Sequence, residues 1–160
     1  MTEQRLRAAM ESHGDTVYRL ALCRLQDPAD AEDVYQDVFL RLFQQNDFPT
    51  EDSEHLKAWL IRTTINRCTD IMRFRFRRST LSLESIGELA GHVDESVGEV
   101  WTAVGRLPAK FRMVVHLHYL EGYSTDEIAV MLAIPPATVR TRLRRARWKL
   151  KVLLGGDDDE

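Results

Sequence analysis

Apolar residues recur at helical spacing along most of the chain, and the two-residue alternation typical of β-strands is absent. In the first part, Val17, Leu20 and Ala21 predict a helix over residues 16–25. The dipeptide Asp27-Pro28 marks a turn after it. The pattern therefore predicts an all-α protein.

A second helix is predicted from an N-cap at Asp30 to about residue 45, because Val34, Val38 and Leu42 recur every four residues. These apolar side chains define the face turned to a core. A separate polar and acidic face is formed by residues spaced three and four apart, which are Asp33, Gln36 and Asp37.

Residues 46–54, with Pro49, are predicted to form a loop, and residues 56–78 a long helix that becomes increasingly basic. Periodicity then weakens over residues 79–97, which are rich in serine, glycine and acids. This composition is typical of a flexible linker, in which only a short helical turn near 83–89 is expected.

The second half begins with a short predicted helix over residues 100–107, and Pro108 opens another. Phe111, Val114, Val115 and His118 are expected to form the inner stripe of that helix, which extends to residue 120. Gly122 follows, at a position suited to a left-handed backbone.

A helix-turn-helix is predicted after Gly122. Ser124 and Glu127 form an S-x-x-E capping box, and Pro136 suits the first position of the next helix. In that last helix Val139 and Leu143 continue an apolar stripe through Ala146 and Leu150. The remaining surface is polar and basic, with Thr138, Arg140, Thr141, Arg142, Arg144, Arg145 and Arg147. An arginine side chain can donate two hydrogen bonds to a guanine edge in the major groove, so this helix is predicted to bind DNA.

Composition agrees with a folded protein. The chain has 160 residues, 44% of them hydrophobic and 29% charged, which allows one ordinary domain or two small ones. Its two cysteines, Cys23 and Cys68, suit neither a disulfide framework nor a zinc finger. A secretory signal and an apolar segment of membrane-spanning length are both absent, so a cytoplasmic location without membrane insertion is expected.

The net charge of -3 conceals blocks of opposite sign. Residues 27–54 carry nine acids against one base, whereas residues 55–78 carry seven bases against one acid. Residues 140–151 carry seven bases and no acid, and the chain closes on the acidic tail 155–160. Two basic helices suit a polyanion, and the acidic segment suits a different partner.

Sequence signatures of catalysis are missing: the chain has no P-loop, no G-x-S-x-G and no H-E-x-x-H. His116 and His118, two residues apart on a helix, face nearly opposite sides and cannot bind one metal ion together. We therefore expect no enzyme activity, no cofactor and no metal site.

Three segments resemble the extracytoplasmic-function (ECF) sigma factors of RNA polymerase. Residues 124–149, STDEIAVMLAIPPATVRTRLRRARWK, are similar to the promoter-recognising helix-turn-helix of that family. Residues 30–43, DAEDVYQDVFLRLF, are similar to its polymerase-docking segment. Residues 57–73, KAWLIRTTINRCTDIMR, are similar to its R-A-W-L-x-R-x-x-x-N-x-x-x-D-x-x-R helix. The three occur in the family's order and cover most of the chain.

The resemblance implies a factor that binds core RNA polymerase, through the clamp helices of beta-prime and the beta flap, and directs it to promoter DNA. It places Asp33, Gln36 and Asp37 against polymerase. It assigns the melted downstream promoter element to the third helix, at Trp59, Asn66, Asp70, Arg73 and Arg77, and the upstream element to the last helix. A pocket for a flipped base around Phe48 and an anti-sigma partner are further implications.

Two features depart from the family pattern: Ala137 stands where glycine is frequent, and phenylalanines interrupt the basic run of residues 73–78. The expected organisation is a domain over residues 1–78, a linker over 79–97 and a helix-turn-helix domain over 98–154. A stand-alone helix-turn-helix regulator of duplex DNA is the alternative, and a helical adaptor that binds only protein would have no use for the arginine helix.

Overall fold

The structure, a computed structural model, describes residues 1–46, 48, 51–79 and 98–155. Within these ranges the secondary structure is helical and contains no strand, which confirms the all-α class. The chain divides into two compact units, Met1–Glu88 and Leu89–Glu160. Almost all of the expected linker, including its short helical turn, and almost all of the acidic tail lie outside the described residues.

The N-terminal unit contains three helices, α1 (Glu3–Leu25), α2 (Pro28–Phe43) and α3 (Ser53–Ser79), each of which packs against the other two. Val17, Val34, Val38 and Leu42 are fully buried in its core, as their spacing predicted. Leu60 of α3 joins the same cluster. The exposed residues of α2 and α3 lie on the sides turned away from this core.

Helix α1 begins thirteen residues earlier than predicted, because the Thr2 side chain accepts a hydrogen bond from the Arg5 amide and caps the new start. Ala9 and His13 extend its buried face toward the N-terminus. The imidazole Nε2 of His13 lies 3.3 Å from the Ser53 hydroxyl, and burial and nearby Lys57 lower the pKa of His13.

The predicted N-cap of α2 was wrong by three residues. Asp27 is the cap: its carboxylate accepts hydrogen bonds from the amides of Ala29 at 3.0 Å and Asp30 at 3.4 Å. Pro28 occupies the first turn, where its missing N–H costs nothing. The dipeptide that marks a turn thus also begins the helix, which ends at Phe43 rather than near residue 45.

The C-terminal unit contains α4 (Glu99–Gly105), α5 (Ala109–Val115), a π-helical turn (His116–Leu120), α6 (Thr125–Leu132) and α7 (Pro136–Leu153). Helix α7 packs against α4, α5 and α6. Phe111, Val114 and Val115 are buried as predicted, but His118 is not. The wider π-helical turn places His116 and Leu117 inside instead, and His118 Nδ1 lies 2.8 Å from the Tyr123 carbonyl oxygen.

Candidate functional site

The helix-turn-helix begins at the predicted capping box. The Ser124 hydroxyl accepts a hydrogen bond from the Glu127 amide at 3.1 Å, and the Ser124 amide donates to the Glu127 carboxylate at 2.9 Å. Hydrogen bonding to the carboxylate, first from the Ser124 amide and then from the Ser124 side chain, lowers the pKa of Glu127. Gly122 before the box has a φ of 79°, in the left-handed region predicted for it. The start of α6 is therefore determined locally.

The turn between α6 and α7 uses a left-handed residue and two prolines. Ala133 has a φ of 56°, and its position lets the Ile134 amide donate to the Ala129 carbonyl oxygen at 3.0 Å. Pro135 precedes α7, and Pro136 lies in its first turn. Both prolines lack an N–H at positions where a helix has no acceptor for one, so the second helix starts sharply.

Helix α7 separates an apolar inner stripe from a basic outer one. Val139, Leu143 and Ala146 are buried, whereas Leu150 is only half-buried. Arg140, Arg144, Arg145 and Arg147 are exposed, and Thr138, Thr141 and Arg142 are half-buried. All seven predicted DNA-binding residues of this helix thus retain some exposed surface.

Arg147 differs from the other exposed arginines, because it is held by a neighbouring side chain. Its Nε donates to the Tyr119 hydroxyl at 2.6 Å, and its guanidinium carbon lies 5.7 Å from the centre of the Tyr119 ring. This contact orients the guanidinium before any ligand binds.

The acidic face of α2 contains two exposed residues and one residue that already forms ion pairs with arginines. Asp33 and Gln36 are exposed. The Asp37 side chain is only 30% exposed, and its Oδ2 lies 3.0 Å from Nε of both Arg41 and Arg67. Because Arg67 belongs to α3, Asp37 connects two helices and is not a freely available docking carboxylate.

The predicted DNA face of α3 is a row of exposed side chains: Asn66, Asp70, Arg73 and Arg77. Their spacings of four, three and four residues place them on one side of the helix. Arg62, four residues before Asn66, is exposed and extends this row. The four-residue spacing could have identified Arg62 from the sequence.

Arg75 does not belong to that face, although it lies in the middle of the basic run. Its side chain is 19% exposed and forms ion pairs with Asp30 and, at 3.6 Å, with Asp27. Its Nη1 also donates to the Leu25 carbonyl oxygen at 3.4 Å, at the end of α1. One arginine therefore joins the C-terminal half of α3 to the α1–α2 turn.

Trp59 is half-buried against the core of the N-terminal unit. Its ring centre lies 5.4 Å from that of Phe48, which in turn lies 5.1 Å from the His55 ring. Residues 47, 49 and 50 lie outside the described part of the chain, so the suggested base pocket in this loop stays a prediction. Phe48 itself packs on Trp59 and the core.

The remaining candidate chemistry is limited. Cys68 is buried, and burial raises the pKa of its thiol to about 12, whereas Cys23 is half-buried. In the part of the chain that the structure describes, His, Cys, Asp and Glu form no group of three or more that could hold a metal ion. Across the same residues, no helix is long and apolar enough to cross a membrane.

Comparison with known proteins identifies both units. Residues 9–79 match the family described as Sigma-70 region 2, and residues 98–150 match the family described as Sigma-70, region 4. The chain is 31% identical to the ECF RNA polymerase sigma factor SigL of Mycobacterium tuberculosis, over 93% of this chain and 88% of SigL. It is 32% identical to SigE of Mycolicibacterium smegmatis, over 94% of this chain but 62% of SigE.

Two solved structures have the same fold. CnrH, solved in complex with the cytosolic domain of CnrY, superimposes with a TM-score of 0.65 at 27% identity, over 98% of this chain and 92% of CnrH. RpoE of Bartonella quintana, solved with the anti-sigma factor NepR, has a TM-score of 0.68 at 22% identity, over 97% of each chain. The second likeness concerns the fold alone.

Proposed function

This chain belongs to the ECF RNA polymerase sigma factors, and we propose that it recruits core RNA polymerase to specific promoters through surfaces on two separate units. The catalytic step of transcription is then carried out by the polymerase. The chain contributes promoter recognition and strand melting, and we place this activity in the cytoplasm, where core polymerase and promoter DNA are present.

The observation that carries the proposal is the structure of α6 and α7. A capped helix, a tight turn and a second helix with Val139 and Leu143 inside leave exposed arginines on the outer surface. This arrangement suits insertion into a major groove, where one arginine can bind guanine O6 and N7 while its neighbours hold phosphates. We assign this surface to the upstream promoter element.

Polymerase docking is assigned to α2. Asp33 and Gln36 are available for contact with the beta-prime clamp helices, and the exposed side chains of Leu40 and Phe43 extend the same helix with apolar area. Asp37 supports this surface through Arg67 and is a positioning residue. We assign contact with the beta flap to the C-terminal unit.

The exposed row on α3 is assigned to the melted downstream element. An amide such as Asn66 can hydrogen-bond the edge of an unpaired base, and Arg73 and Arg77 can follow the phosphate backbone. Trp59 supports this face from below, because it is half-buried against the core.

We further propose that an anti-sigma protein inhibits this chain. CnrH, which shares the fold and 27% of its aligned residues, was solved with the cytosolic domain of CnrY. Two units with separate polymerase and DNA surfaces can be inactivated together by one partner that covers both. Purification from the native host should recover such a partner, whereas a chain that is always free and active would contradict this proposal.

Run-off transcription with purified core polymerase and a genomic promoter library tests the main function. We expect specific transcripts only when the chain and core enzyme are both present. Specific binding of the chain to duplex DNA without any transcription from core enzyme would instead identify a stand-alone regulator.

Substitution at Arg145 tests the helix assignment on a promoter selected in that assay. Arg145 is exposed, so R145A removes a contact without opening a cavity. If Arg145 binds a guanine, its loss costs about 1–3 kcal/mol and relaxes preference at one base position. Lys151, exposed near the end of the same helix, gives the control K151A. Unchanged transcription and base preference in R145A would remove this residue from the promoter contact.

A further inference from the structure

Two phenylalanines in the last turns of α3 are largely exposed and lie outside the row assigned to DNA. Phe74 is 55% exposed and Phe76 is 72% exposed. At about 100° of rotation per residue, they lie roughly 80° to either side of the row formed by Asn66, Arg73 and Arg77. The two side chains therefore leave the helix on opposite flanks of the exposed row.

Arg75, which lies between the two phenylalanines in the sequence, explains why neither phenylalanine side chain points into the core. Arg75 faces the α1–α2 turn, where it contacts Asp27, Asp30 and the Leu25 carbonyl oxygen. With Arg75 held there, the helix must present residues 74 and 76 on its flanks. This order, a charged residue inside and two large aromatic residues outside, is the reverse of what core formation favours.

The rings also lie among positive charges. Arg73, Arg77 and Arg78 are exposed in the same turns, and the guanidinium carbon of Arg78 lies 5.7 Å from the centre of the Phe74 ring. Basic side chains that track phosphates, interleaved with aromatic faces on which bases stack, are the usual elements of a surface for single-stranded nucleic acid. This density of positive charge favours a polyanionic partner over an apolar protein surface.

We infer that Phe74 and Phe76 stack against unpaired bases of the melted promoter strand, while Arg73, Arg77 and Arg78 hold its phosphates. This inference rests on the proposed function and adds the residues that hold bases out of the duplex. Stacking accepts any base, so these contacts stabilise the open strand without reading its sequence.

The experiment compares three forms of the full chain, each bound to core polymerase: wild type, F74L/F76L and F74W/F76W. Leucine keeps the apolar bulk but removes the π face, whereas tryptophan retains a stacking surface. The probe is a single-stranded oligonucleotide with the non-template sequence of a promoter that the wild-type holoenzyme transcribes. Affinity for this probe, affinity for core polymerase and permanganate reactivity of unpaired promoter thymines are measured for each form.

For F74L/F76L we expect single-strand affinity to fall about 5- to 150-fold per lost stack, with weaker thymine reactivity and unchanged affinity for core enzyme. F74W/F76W should bind the oligonucleotide at least as tightly as wild type. The substitution S12A, at an exposed residue of α1 that belongs to none of the proposed surfaces, serves as the control and should change none of these measurements.

Equal single-strand affinity in wild type and F74L/F76L would overturn the inference, as would a loss of core binding, which would mean that the rings dock protein. A wild-type holoenzyme that initiates transcription at no promoter would refute the proposed function itself, which is a different outcome from the loss of base stacking. A wild type that transcribes beside an F74L/F76L variant that matches it in every measurement would refute stacking alone.

Discussion

Arg73 and Arg75 lie two residues apart in one basic run, yet the structure gives their side chains different environments and therefore different roles. Arg73 is exposed, whereas Arg75 is 19% exposed and joins α3 to the α1–α2 turn. Glutamine at either position removes the charge and keeps good helix propensity. We therefore expect R75Q to reduce stability and R73Q to reduce DNA binding, with little overlap.

The expected loss for R75Q follows from the exposure of the ion pair. Exposed pairs contribute about 0–1 kcal/mol, and removing one partner of a fully buried pair costs about 3–5 kcal/mol. Asp27 and Asp30 are 37% and 31% exposed, so this site lies between the two limits. We expect a loss of roughly 2 kcal/mol, which lowers the melting temperature of a unit of this size by about 8–16 °C. R73Q should stay within about 0.5 kcal/mol of wild type.

The assay must report on the N-terminal unit alone. Trp59 lies in that unit, and the other two tryptophans, Trp101 and Trp148, lie in the C-terminal unit. A W101F/W148F background leaves Trp59 as the sole tryptophan, whose fluorescence follows unfolding of its own unit. DNA affinity of the holoenzyme across a salt series gives the second readout, in which R73Q should lower the salt slope by about one ion.

Equal melting of R75Q and R73Q would refute the anchoring role of Arg75. A salt slope lowered by R75Q and unchanged by R73Q would show that the assignment of the two faces of α3 is reversed.

Three further predictions concern other parts of the chain. D33K should weaken binding of core polymerase and leave stability within about 0.5 kcal/mol of wild type. D37K should also destabilise the N-terminal unit by at least about 1 kcal/mol, because it places a lysine between Arg41 and Arg67. Pull-down of core polymerase and melting followed by Trp59 fluorescence distinguish the two variants. S124A should cost about 0.5–2 kcal/mol in the C-terminal unit, measured by urea unfolding, because α6 loses its cap. His13 has a folded-state pKa below its ordinary 6.5, so its contribution to stability is present above pH 6.5 and is lost as the pH falls through the folded-state pKa. Melting of wild type and H13Q at a series of pH values measures that loss, which H13Q should lack.

Each of these predictions has a clear contrary result. D33K that captures core enzyme like wild type would remove α2 from docking, and D37K as stable as D33K would show that the Arg67 contact contributes nothing. An unchanged urea midpoint in S124A would mean that tertiary packing alone determines the start of α6. Parallel pH profiles for H13Q and wild type would assign the acid sensitivity to other groups.

Several features of this protein depend only on residues that are close together along the chain, so the sequence by itself determines them. The four-residue spacing of Val34, Val38 and Leu42 was sufficient to place them in a core, because a helix has a fixed rotation per residue. The Ser124–Glu127 box and the left-handed Gly122 involve only neighbours along the chain, so the sequence specifies them directly. The three motifs and their order were sufficient to predict the family.

Tertiary structure alone decided which polar side chains remain available. Periodicity places Asp37 beside Asp33 and Arg75 beside Arg73, but it does not say which helix lies opposite. The packing of α3 against α2 directs Arg67 to Asp37 and Arg75 to Asp30. Ion pairs between residues thirty or forty-five positions apart depend on which helix faces pack together. The spacing of residues along the sequence does not specify that packing.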